Sequence, residues 1–152
     1  MKGSYGRFAA MIGTSTAVML GLMYLNTYEP SHVYWSETRA YMALVMGAAM
    51  AVIMLTFMLG MYARAAWNTA IISGALVGFG IALYLVRSQA TVDDVSWMKA
   101  MIPHHSIAIL TSERAKITDP RVRKLADEII ESQRREIGEM KALIEELDQQ
   151  RR

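Results

Sequence analysis

Two of the three histidines in this chain, His104 and His105, stand side by side in the segment Trp97–His105, with Met98 and Met101 just before them. Gln133, Glu136 and Met140 answer them near the C-terminus. Thioether sulfur and imidazole nitrogen together form the donor set that suits monovalent copper or silver. Met98, Met101, His105 and Met140 are the first soft donors in this reading, and His104 is the next. A histidine pair on a helix is, taken alone, more often a packing feature than a ligand pair. The methionines that converge on it favour ligation.

Convergence requires two helices. Val95, Met98, Met101, Ile102, His105, Ala108 and Ile109 recur at three- and four-residue steps, as on one face of an amphipathic helix. Asp119-Pro120 then reads as an N-cap followed by a first helical residue whose missing N–H costs nothing. A second helix can run from there through Val122, Leu125, Ile129, Gln133, Ile137, Met140, Ile144 and Leu147. Folding the two back about residue 118 sets His105 near Ser132 and Gln133, Met101 near Glu136, and Met98 near Glu139 and Met140. Met98, Met101 and His105 share a face, with His104 on its flank. Pro103 lies inside the first helix, where it removes a hydrogen bond. It either kinks the helix ahead of the histidines or starts a new helical segment.

Other residues carry competing readings. Glu113, Glu136 and Glu139 with the histidines suggest a carboxylate-bridged di-iron site, but none of these carboxylates stands in a Glu-x-x-His pair with His104 or His105, as such sites require. Glu136 fits better as a solvent-facing residue, as the partner of a nearby arginine, or as an acceptor for an imidazole N–H. His32, alone in a short loop, reads as an interfacial polar residue more readily than as a ligand. Trp97 offers a cation–π or sulfur contact, or anchors a helix at an interface.

The residues before 91 place this tail on a membrane anchor. The chain is 53% hydrophobic over 152 residues, too apolar for a small protein to bury in its own interior. Phe8–Leu25, Ala40–Ala63 and Thr69–Val86 each approach the ~20 apolar residues that cross a bilayer core. We therefore expect three transmembrane helices in residues 1–90, followed by a soluble antiparallel helical hairpin in residues 91–152, in an all-α fold. Lys2, Arg7 and Arg64 on one side, and Glu29 and Glu37 on the other, favour a cytoplasmic N-terminus and an external tail, against a weaker vote from Arg39 and Arg87. In a bacterium the tail would face the periplasm. Met42, Met46, Met50, Met54 and Met58 recur every four residues in the second span. They read as a thioether ladder or, more plainly, as flexible filling of a packing seam.

Charge and composition narrow the remaining classes. The tail holds 11 Lys/Arg against 12 Asp/Glu, so it offers no basic stripe for nucleic acid. Cysteine is absent, which excludes disulfides and thiolate chemistry. No catalytic constellation is recognisable, so an enzyme is not expected. Two short helices leave part of their apolar stripe uncovered, and a second copy would complete a four-helix bundle; a homodimer is the expectation.

Met101-Ile102-Pro103-His104-His105, Asp119-Pro120-Arg121-Val122-Arg123-Lys124-Leu125-Ala126 and Ile129-Ile130-Glu131-Ser132-Gln133-Arg134-Arg135-Glu136-Ile137-Gly138-Glu139-Met140 together resemble the domain of unknown function 305 family. Its members often read M-I-x-H-H, D-P-x-V-R-x-L-A and I-I-x-x-Q-x-x-E-I-x-x-M. The resemblance implies a ferritin-like helical fold in the bacterial envelope, with copper or silver binding and tolerance in some relatives. It marks Met101, His104, His105, Gln133, Glu136 and Met140 as motif positions. Many relatives carry two such hairpins where this chain has one. The function expected is a membrane-anchored copper(I)- or silver-binding protein, buffering the metal or handing it to a copper-handling envelope partner. The alternative is a metal-free module that dimerises or docks on a membrane complex.

Overall fold

The computed structural model describes residues 4–151. Among them the regular structure is entirely helical: α1 (Tyr5–Leu22), α2 (Glu37–Phe57), α3 (Ala65–Ser88), α4 (Asp94–Arg114) and α5 (Pro120–Gln150), with 3-10 turns at Pro30–His32 and Leu59–Met61. Contacts group the chain into two compact units. Among the described residues, one comprises residues 4–23 together with Thr38–Thr91, and the other Tyr24–Glu37 together with residues 92–151.

In the first unit, Phe8, Ala51, Leu55 and Tyr62 form a buried cluster, with Met54 and Met58 packed against it. For these two methionines the packing-seam reading describes what they do. A Cβ on Gly47 would collide with Thr16 Oγ1, so glycine is what lets α1 approach α2 at that point. At the other end the Tyr5 hydroxyl donates to Asn68 Oδ1 at 2.8 Å, and Asn68 Nδ2 donates to the Tyr62 carbonyl at 2.8 Å. A buried amide therefore has partners on both of its polar atoms.

The expectation of three membrane-length apolar helices needs correction. α2 and α3, each with a mean hydropathy of 2.1, are long and apolar enough to cross a membrane. α1 is 18 residues long, and Arg7 with Thr14, Ser15 and Thr16 dilutes its apolar run. The expected first span also reached Leu25, but the helix stops at Leu22. Lys2, used in the orientation argument, lies outside the described residues.

The second unit is built on the antiparallel pair α4 and α5. Asp93 caps α4 by accepting from the Ser96 N–H at 2.8 Å, and Asp119 caps α5 by accepting from the Arg121 N–H at 2.8 Å. Both short carboxylates satisfy an amide that the first helical turn leaves without a partner. Val95, Met98, Ile102, Ile109, Ile137, Met140 and Ile144 make the core, flanked by Met101, Ile130, Leu147, Tyr28 and Tyr34. α4 runs unbroken through Pro103, which is buried within it. A third component is the segment Tyr24–Glu37, whose 3-10 turn packs on α4.

Candidate functional site

Met98 and Met140 are only 5% and 7% exposed, and Met101 packs against the same core cluster. Helix spacing brings Met98 and Met101 to one face of α4, and the antiparallel return of α5 brings Met140 to them. Trp97, half exposed, lines a cleft of about 480 Å³ with Met98, Asp93, Asp94 and Glu146. Indole, thioether and carboxylates thus meet at one end of the hairpin.

His105 lies one turn beyond Met101 and is bonded at both ring nitrogens. Nδ1 is 2.8 Å from the Met101 carbonyl oxygen, and Nε2 is 2.7 Å from Glu136 Oε2. Both partners accept, so the two bonds form together only when the ring carries a hydrogen on each nitrogen. In that state neither nitrogen presents a lone pair to a metal ion. The other carboxylate oxygen of Glu136 accepts from the Ser132 hydroxyl at 2.7 Å. These hydrogen bonds, Ser132 first and His105 next, hold the Glu136 carboxyl below the usual glutamate range. Glu136 is thus an acceptor for an imidazole N–H, one of the three roles its sequence context suggested.

The simple reflection about residue 118 misplaced this pair by about one helical turn. His105 meets Glu136, not Ser132 or Gln133. Gln133 is half-buried on α5 and His104 is exposed. The two adjacent imidazole rings stand 6.0 Å apart at 68°, so they diverge instead of forming a pincer. Among the described residues, no three His, Asp or Glu side chains converge as a metal cluster would require. The seven sequence candidates therefore separate into a buried thioether group (Met98, Met101, Met140), a charge-assisted pair (His105, Glu136) and two peripheral residues (His104, Gln133).

Sequence reasoning passed over Ser106 and undervalued His32. Ser106 is fully buried and lies 2.9 Å from His32 Nδ1, while its oxygen also accepts from the Tyr28 N–H at 2.7 Å. A serine on the stripe Val95, Met98, Ile102, Ile109 was the available clue, because a polar atom placed among core positions needs a partner. The partner came from a loop some seventy residues away in sequence.

Comparison with known proteins bears on the sequence of the α4–α5 hairpin. No solved structure matches the chain. An uncharacterized protein of Acanthamoeba polyphaga mimivirus is 44% identical over 68 residues, covering 43% of this chain and 45% of that protein. This chain thus matches less than half the length of that relative. Residues 94–152, which comprise α4 and α5, match the family described as Domain of unknown function (DUF305).

Proposed function

We propose that this chain is a membrane-anchored envelope protein that binds a monovalent soft metal ion, copper(I) or silver, through its C-terminal unit, and buffers it or passes it to a partner. The observation that carries this reading is the gathering of Met98, Met101 and Met140 in one cluster. Thioethers select soft monovalent ions over hard divalent ones, and a single charge is the least costly to bring out of water. His105 is the nearest candidate for an added donor. Recruiting it means breaking one of its two hydrogen bonds, to Glu136 or to the Met101 carbonyl, because a nitrogen cannot hold both a hydrogen and a metal ion.

The anchor is supported by the apolar side chains that α2 and α3 leave uncovered. Ile53, Leu76, Val77 and Ile81 are each more than half exposed, an arrangement that lipid satisfies and water does not. With α2 and α3 as the two spans, Arg64 in their short connection favours the tail on the outer, periplasmic face of a bacterial inner membrane, against Arg39 and Arg87 on the tail side. Val122, Leu125 and Leu143 leave α5 apolar surface that a second copy would cover in a four-helix bundle.

A second reading, a metal-free interaction module, is favoured by the double engagement of His105 and by the close packing of Met98 and Met140. Titration with copper(I) against a competing chelator separates the two, using the full-length protein in detergent and its Met98→Leu/Met101→Leu/Met140→Leu variant. Leucine keeps the core volume at a cost below about 1.5 kcal/mol per site. The metal reading predicts that the wild type holds copper(I) and the variant loses at least about tenfold in affinity. Equal retention by both, or by neither, would contradict it.

A further inference from the structure

The segment Tyr24–Glu37 reaches α4 through two hydrogen bonds that share one atom. Ser106 Oγ accepts from the Tyr28 N–H and stands 2.9 Å from His32 Nδ1. His32 is itself 7% exposed. With a neutral ring, the serine hydroxyl donates to Nδ1 while its oxygen accepts the amide, and every polar atom of the contact has a partner. Tyr28 and Tyr34 of the same segment lie against the unit's core, and the Arg134 guanidinium sits 5.9 Å from the centre of the Tyr28 ring. A cleft of about 370 Å³ runs beside the contact, lined by Tyr28, Glu29, His32, Ile109, Arg134 and Ile137.

We propose that Tyr24–Glu37 is a strap latched to the α4–α5 hairpin by His32 and Ser106, and that uptake of a proton by the imidazole opens the latch. The charged groups facing the ring explain the direction. On the strap itself, Glu29 Oε2 is 3.8 Å from Nε2 and favours the proton. On α4, the Ser106 oxygen already accepts from the Tyr28 amide and carries no opposite charge, and the Glu113 carboxylate is engaged with Arg134 at 3.5 Å. On α5, Lys141 opposes the proton, and Arg134 adds a second positive group to the same cleft. Burial, first, and Lys141, next, outweigh Glu29 and lower the affinity of His32 for a proton relative to an ordinary histidine.

The sign follows from linkage. Above the ordinary value of 6.5 the ring is neutral whether the strap is closed or open, so His32 adds no pH dependence there. Below 6.5 the open strap takes up a proton that the closed strap resists, and opening is favoured progressively until the closed form also titrates. The strap is thus a cover over the Ile109–Ile137 edge of the core that loosens on mild acidification. This holds whether or not the unit binds a metal.

Hydrogen exchange on the full-length protein in detergent tests the latch, with rates in the strap normalised to intrinsic exchange and compared between about pH 7.5 and pH 5.5. The expected result is faster normalised exchange at the Tyr28 amide and its neighbours at the lower pH, by up to about tenfold per pH unit below 6.5, with α4 and α5 unchanged. Lys141→Gln leaves the strap contacts intact and should shrink that increase. Ser106→Ala should open the strap at both pH values. Wild-type exchange that does not change with pH, or strap protection unchanged at pH 7.5 in Ser106→Ala, would overturn the proposal.

Discussion

At the residue scale, the pair His105–Glu136 links the two helices of the hairpin through a charge-assisted bond of 2.7 Å. Because the folded state holds Glu136 below its ordinary value of 4.5, the carboxylate contributes stability that is present above that value and is lost as pH falls through the folded one. Glu136→Gln removes that increment. Between about pH 5 and pH 3 the wild-type denaturation midpoint should therefore fall further than that of Glu136→Gln, as followed by circular dichroism. The contact joins positions whose identities were plain in the sequence, but the partner choice was not. Ser132, one turn before Glu136, holds the carboxylate on its other oxygen, and a histidine-centred search gives no reason to look there.

At the element scale, the hairpin was the most legible part of the chain. Its period-3.6 apolar pattern and the Asp119-Pro120 start correspond to α4 and α5, and Ile102 sits at 0% exposure in their core. Ile102→Ala should cost about 2–5 kcal/mol and Asp119→Ala about 1 kcal/mol in unfolding of the C-terminal unit, measured with denaturant on the full-length protein. Pro103 was ambiguous because a proline inside a helix ends it in some settings and is absorbed in others; here it is buried and α4 continues past it. The strap was illegible for a different reason. Tyr28 and His32 lie in a mostly irregular loop segment, and their place in the unit depends on Ser106, a long-range contact that no local pattern encodes.

At the scale of the whole molecule, the boundary near residue 91 reflects a physical change in what the side chains need. Before it, two helices expose apolar faces suited to lipid; after it, α5 is strongly amphipathic and carries its charges on one side. α1 is the marginal element, because the apolar run Phe8–Leu25 suggested a span, whereas the helix is Tyr5–Leu22, with Arg7 and the Thr14-Ser15-Thr16 run inside it. A reporter active only outside the cytoplasm, fused after Arg152, should be active; activity of only the cytoplasmic counterpart would reverse the proposed orientation. The proposed function requires that the thioethers of the second unit hold copper(I). Copper K-edge absorption of the full-length protein, loaded with one equivalent of copper(I) and passed through a desalting column, tests it most directly. The expected result is retained copper in a sulfur-dominated coordination shell that disappears in the Met98→Leu/Met101→Leu/Met140→Leu variant. A shell of nitrogen and oxygen only, or no retained copper, would contradict it.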